Sequence, residues 1–361
     1  HDSHLVSDAP SDLVSRGQAI FERLRAEPQG PVETSAPEPG PEVQTPDEAV
    51  VVAPEAPEVP EVLVEAVSAP AEAGTSAATE PAPAAIEATA PVVEPDPARF
   101  IRPLPRVMAI TNQKGGVGKT TTAVNLGAAV ADLGYRVLVV DLDPQGNATT
   151  GLGLNTRDLQ SSMYDVILHD ASIDDCIEAT SVRNLFVAPA SLDLAGAEIE
   201  LVPAFSRELK LRKALEEVAS DYDYVFIDCP PSLGLLTVNS LAAATEVIVP
   251  IQCEYYALEG LGQLLRNVNL VQKNLNQALE VSAIVCVMYD ARTKLSDQVV
   301  QEVRAHFGEK VCRTVVPRTV RLSEAPSYGQ PITAFDPSSR GAIAYRELAK
   351  EITGGTPQRT G

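Results

Sequence analysis

A mostly parallel, doubly wound α/β sheet preceded by a disordered N-terminal extension is the architecture that this sequence predicts. Three observations carry that expectation. From about residue 101 onward, short apolar runs alternate with helical patterns, the arrangement of a parallel sheet covered by helices on both faces. A glycine-rich segment at 113–121 joins the first apolar run to the first helical stretch. Composition also changes near residue 100: the first hundred residues carry 19 acidic and 4 basic side chains and 16 of the 29 prolines, so most of the net charge of −21 lies there.

The chain is accordingly divided into three parts. Within residues 1–26, Leu13, Ile20, Phe21 and Leu24 fall near one face of a short amphipathic helix suited to docking on a partner such as a polar scaffold protein, although Gly17 weakens it. Residues 27–100 contain strings such as Pro54-Glu55-Ala56-Pro57-Glu58-Val59-Pro60, with no lysine and almost no aromatic residue. Such a segment buries too little apolar surface to offset its ordering entropy and is expected to be an extended, disordered linker. Residues 101–361 form the folded domain.

The elements of that domain follow in order. Residues 106–111 read Arg-Val-Met-Ala-Ile-Thr, a buried parallel strand. Behind the glycine segment, Val124, Leu126, Ala128, Ala129, Val130 and Leu133 recur at helical spacing and Gly134 supplies a stop. Further strands are expected at 136–141, 185–189, 224–228, 246–251, 281–287 and 311–316, and further helices at 209–219, 258–274, 295–307 and 342–352. In such a sheet ligands bind at the C-terminal ends of the strands. No run of 18 apolar residues occurs and the start lacks a basic segment followed by an apolar core, so neither a membrane span nor a signal peptide is expected, and the location is cytoplasmic. Cys176, Cys229, Cys253, Cys286 and Cys312 lie singly, as buried reduced thiols do.

The segment Gln113-Lys114-Gly115-Gly116-Val117-Gly118-Lys119-Thr120-Thr121 holds two lysines around a glycine loop. A loop that wraps phosphates turns its N–H groups inward at close range, which glycine permits. The ordinary phosphate-loop pattern needs glycine at position 113, where this chain has Gln113. Gly118-Lys119-Thr120 nevertheless places a lysine on the β and γ phosphates, a hydroxyl on Mg2+ and a helix N-terminus under the anion. Lys114 is left over. Two carboxylates also follow strands: Asp228, before Cys229-Pro230-Pro231, is suited to holding Mg2+ through water, and either Asp141 or Asp143, in the loop with Pro144 and Gly146, would orient an attacking water.

Four motifs in order, at 114–121, 141–149 (Asp-Leu-Asp-Pro-Gln-Gly-Asn-Ala-Thr), 226–231 (Phe-Ile-Asp-Cys-Pro-Pro) and 321–327 (Arg-Leu-Ser-Glu-Ala-Pro-Ser), resemble the ParA/Soj chromosome-partitioning ATPases, over about residues 105–353. The resemblance implies a P-loop NTPase with a deviant Walker A loop, of the group that also contains MinD, that binds ATP and Mg2+. It implies that Lys114 reaches the partner subunit's phosphates in an ATP-bound sandwich homodimer. Gly115, Gly116, Val117, Gly118, Lys119, Thr120 and Thr121 then bind ATP, Asp143 positions the water, Asp228 is the Walker B acid and Pro317 lines the adenine. It implies no role for the acidic extension.

The same resemblance implies nonspecific double-stranded DNA binding through Arg292 and Arg321, and release when a ParB-like centromere-binding protein stimulates hydrolysis, so that the protein is nucleoid-associated. Composition alone is weaker here, since residues 290–325 carry seven basic against five acidic side chains, and duplex affinity depends on cations that neutralise phosphates. The alternative is a MinD-like membrane-positioning ATPase. That reading calls for a basic amphipathic helix, whereas the last residues, 351–361, are polar and helix-breaking.

Overall fold

The computed structural model describes residues 100–254 and 257–355. The expected docking helix and nearly all of the linker lie outside them, as do the last six residues. Seven strands form one sheet: β1 (Arg106–Ile110), β2 (Val137–Asp141), β3 (Glu178–Ala179), β4 (Leu185–Ala188), β5 (Tyr224–Asp228), β6 (Glu246–Gln252) and β7 (Glu280–Val287), in the spatial order β3-β4-β2-β5-β1-β6-β7. All neighbours are parallel except the two-residue edge strand β3, which runs antiparallel to β4. The central strands β2 and β5 are buried end to end because helices cover both faces, hence their continuous apolar runs Val-Leu-Val-Val and Tyr-Val-Phe-Ile.

The register positions the site. Ile110 pairs with Asp228, and Asp228 with Asp141, so two carboxylates and the start of the glycine loop share the C-terminal edge of three adjacent strands. Helix α1 (Lys119–Asp132) leaves that loop, packs its Ala- and Val-rich sequence against the sheet and ends at Leu133 and Gly134, the latter at φ 103°. The helices α2 (Asn147–Gly151), α3 (Met163–His169), α4 (Leu194–Glu200), α5 (Lys210–Val218), α6 (Leu235–Ala243), α7 (Ala257–Asn274), α8 (Lys294–Phe307), α9 (Val320–Glu324), α10 (Ile332–Phe335) and α11 (Arg340–Thr353) follow. Thr293 and Ser339 cap α8 and α11 through their side-chain oxygens. At the opposite end of the sheet, Arg106 donates two 2.7 Å hydrogen bonds to Glu246 and one of 2.8 Å to the Ile352 carbonyl, tying β1 to β6 and α11.

One expected strand is absent. Residues 311–316 form no continuous ladder with β7: Val311 makes an isolated bridge to Ile284, and the Cys312 and Val316 N–H groups donate to the Ile284 and Cys286 carbonyls at 2.9 and 2.8 Å. The physical reason is a competing acceptor: the N–H groups of Arg313 and Thr314 donate to the Glu351 carboxylate of α11 at 2.6 and 3.0 Å instead of to a neighbouring strand.

Candidate functional site

The glycine loop is held open by backbone conformation. Gly116 and Gly118 stand at φ 72° and 82°, in the left-handed region that costs an L-residue about 1–2 kcal/mol, and Gly118 is the N-cap of α1 without any side chain over the helix end. The first N–H groups of α1 therefore face the loop free of a side-chain cap, as an anion site requires. Lys119 begins the helix, is 6 % exposed, and its Nζ donates across the loop to the Lys114 carbonyl at 3.4 Å. Burial pulls its ammonium below the usual lysine range, and the nearby Asp228 charge opposes that pull.

Lys114 faces the other way. Its Nζ donates to Gln252 Oε1 at 3.3 Å and lies 3.6 Å from Glu254 Oε2, so the end of β6 and the two residues beyond it hold the ammonium, which remains about one-third exposed. Its N–H donates to Asn112 Oδ1, and Asn112 in turn donates to the Pro250 carbonyl.

The three carboxylates differ in their partners. Asp141 is fully buried and fully engaged: Oδ2 accepts from the Thr149 N–H and hydroxyl, both at 2.8 Å, and Oδ1 accepts from the Asp143 N–H at 3.1 Å. Burial pushes its carboxyl up to about 6, against the pull of those donors. Asp143 sits in the turn that follows, 8 % exposed, with Oδ1 accepting from the Gln145 N–H at 3.0 Å. Asp228 is the outlier: both oxygens are buried and neither makes a hydrogen bond of ordinary geometry, although the Thr120 hydroxyl stands beside them. Burial first, then the Asp141 charge, raises its carboxyl well above the usual range. Two unpartnered buried carboxylate oxygens next to a hydroxyl are oxygen ligands of the kind that a hard divalent cation takes.

Beside the loop lies a cavity of about 330 Å³ bounded by Gly118, Thr121, Met288, Pro317, Pro326 and Tyr345. Its size and mixed lining fit one small organic ligand. Met288, at the end of β7, holds φ 53°, a strained value for a non-glycine residue and one that clusters where chains clamp ligands. The Tyr289 N–H then pairs with the Val316 carbonyl and the Arg318 N–H with the Tyr289 carbonyl, which brings Pro317 to the cavity wall.

A family model described as an AAA domain matches residues 105–281. The chain is 60 % identical over 247 residues to the sporulation initiation inhibitor protein Soj of Bacillus subtilis, covering 68 % of this chain and 98 % of that relative. The chain belongs to the ParA/Soj family of chromosome-partitioning ATPases. It is also 53 % identical to the chromosome-partitioning ATPase Soj of Treponema pallidum, over 70 % of this chain and 99 % of the relative. Among solved structures, the fold is similar to a Mycobacterium smegmatis protein named cobyrinic acid a,c-diamide synthase, bound to an ATP analogue and magnesium, at TM-score 0.60 and 42 % identity, covering 68 % of this chain and 93 % of that one.

In this ParA/Soj family member the loop lysines, Thr120, Thr121, Asp143 and Asp228 converge at one sheet edge, with Pro317 on the adjoining cavity. Arg292 and Arg321 are surface side chains, and each is paired: Arg292 with Asp290 through two bonds of 2.9 and 2.7 Å, Arg321 with Glu324 at 3.0 Å and Asp336 at 3.4 Å. Gln252, Glu254, Thr149 and Met288 were not among the residues expected at the site. Thr149 stands inside the 141–149 motif, so its hydroxyl was a readable signal; Gln252 and Glu254 have no local signal, being 138 and 140 positions from Lys114. None of the helices among the described residues is long and apolar enough to cross a membrane.

Proposed function

We propose that this ParA/Soj ATPase, with its catalytic domain spanning 101–361, hydrolyses ATP with Mg2+ and couples the hydrolysis to assembly on DNA. The observation that carries the reading is Asp228: a fully buried carboxylate with no hydrogen-bond partner, beside Thr120 and opposite Lys119. The Thr120 hydroxyl, with Asp228 acting through water, would hold Mg2+, which when bound neutralises charge on the phosphate oxygens. Lys119 and the N–H groups of Gly115, Gly116, Val117 and Gly118 cradle the β and γ phosphates, Thr121 holds the α phosphate, and Pro317 walls the base. Between the two candidate bases the hydrogen bonds favour Asp143, because both oxygens of Asp141 already accept from Thr149 or Asp143.

Lys114 does not serve its own subunit's phosphates in this reading. Released from Gln252 and Glu254, it reaches the nucleotide of a second copy and closes an ATP-bound sandwich dimer. Two copies present Arg292 and Arg321 to duplex DNA together, and doubling the contacts raises affinity steeply. The dimer is thereby held on the nucleoid in the cytoplasm, and hydrolysis stimulated by a ParB-like centromere-binding partner separates it and releases it from DNA. The test is ATP turnover by the purified chain with Mg2+, nonspecific DNA and a ParB-like peptide. Turnover no higher than that of Lys119→Ala would end the reading.

A further inference from the structure

Glu198 has no part in the machinery described above, yet its setting is unusual. It lies on α4, and its Oε1 is completely buried without a hydrogen-bond partner. Against it stands Gly234, the N-cap of α6, at φ −89° and ψ −170°. Any residue adopts that conformation, so the backbone does not require glycine here. What glycine permits is the close seat of the carboxylate: a Cβ on Gly234 would overlap Glu198 Oε1 and Cδ and lie 2.5 Å from Oε2, so the flexible end of Glu198 would have to turn aside.

Gly234 closes the loop that carries the chain from Asp228 into α6, through Cys229, Pro230, Pro231, Ser232 and Leu233. Two prolines deprive this loop of N–H donors. At one end the Cys229 N–H donates to the Ile110 carbonyl at 3.3 Å, and near the other the Thr237 hydroxyl donates to the Ser232 carbonyl at 2.6 Å. Those ties come from β1 and from α6 itself, whereas Glu198 approaches from α4. A carboxylate at a helix N-terminus is favoured by the helix dipole, and α6 has no acidic residue in its own first turn to supply one.

We propose that Glu198 is a positioning residue for hydrolysis: its carboxylate, seated against the Cα of Gly234, sets the path of the 229–234 loop and through it the placement of Asp228. This rests on the ATPase reading. The experiment compares full-length Glu198→Ala, Gly234→Ala and the double variant by steady-state ATP hydrolysis with Mg2+, and by ADP affinity in calorimetry. Each single change is expected to lower kcat by about tenfold to a hundredfold, the scale on which remote misplacement acts. KM for ATP and ADP affinity stay within about twofold, because the phosphate loop is untouched. The double variant is no worse than the poorer single one, since both break the same contact.

Wild-type kcat in Glu198→Ala would overturn the proposal, as would losses that multiply in the double variant or a parallel loss of ADP affinity in Glu198→Ala. If the methyl at 234 prevents folding, Glu198→Ala alone decides, because it only opens space. A wild-type chain that hydrolyses no more ATP than Lys119→Ala would sink the ATPase reading instead, which separates the two failures.

Discussion

Asp228 is where the folded chain gives up stability for chemistry. A carboxyl whose folded pKa stands above its unfolded value binds its proton more tightly when folded, so its contribution is favourable at low pH and is lost as pH rises from the ordinary carboxylate range through the folded value. For Asp141 that window runs from 3.8 to about 6; for Asp228 it begins at the same point and extends well upward. Burial and the Asp141 charge outrank the attraction of Lys119 among the causes at Asp228. Asp228→Asn is therefore expected to raise the melting temperature of the nucleotide-free protein at pH 8 while abolishing hydrolysis, and the gain should shrink toward pH 4 as the wild-type carboxyl becomes protonated. A lower melting temperature for the Asn variant at pH 8 would show that Lys119 depends on this charge more than the charge costs.

At the scale of elements, the turn from β2 into α2 is built around Thr149, fully buried, whose hydroxyl donates to Asp141 Oδ2 and accepts from the Ala190 N–H at 3.0 Å. Thr149→Val keeps the shape and removes both bonds, leaving a buried N–H without its partner. The expected cost is about 1–3 kcal/mol, read as a lower urea midpoint at unchanged slope; an unchanged midpoint would mean that water replaces the hydroxyl. How much of this architecture could be read beforehand follows from the range of the forces involved. β1, β2, β5 and β6 were legible because strands buried on both faces need unbroken apolar runs, and the carboxylates were legible because they end those runs. Segment 311–316 is also expected as a strand, but Glu351, distant in sequence, takes the N–H groups of Arg313 and Thr314 at its middle. β3 and short helices such as α2 and α10 have too few residues for periodicity to register, and the contacts of Lys114 with Gln252 and Glu254 exist only after β6 is placed beside β1.

For the whole molecule, the two lysines of the loop set the first expectation. Lys114→Ala should leave ADP affinity near wild type, since Lys119 still lines its own site, while ATP-dependent dimerisation measured by light scattering disappears; a variant that still dimerises on ATP would remove the cross-subunit role. DNA binding adds a constraint, because Asp290 occupies one edge of the exposed Arg292 guanidinium through two hydrogen bonds. That carboxylate offsets the positive charge a phosphate meets and occupies part of the donor fork. Asp290→Asn should then strengthen ATP-dependent binding to nonspecific duplex, while Arg292→Glu weakens it and flattens the salt dependence by about one unit of slope for each phosphate contact removed. Both variants should still form the ATP dimer, since neither residue lies on the phosphate loop. Mobility shifts at two salt concentrations read the two effects separately. Affinity unchanged in both variants would place the DNA-binding surface away from the loop between β7 and α8, leaving Arg321 to account for it.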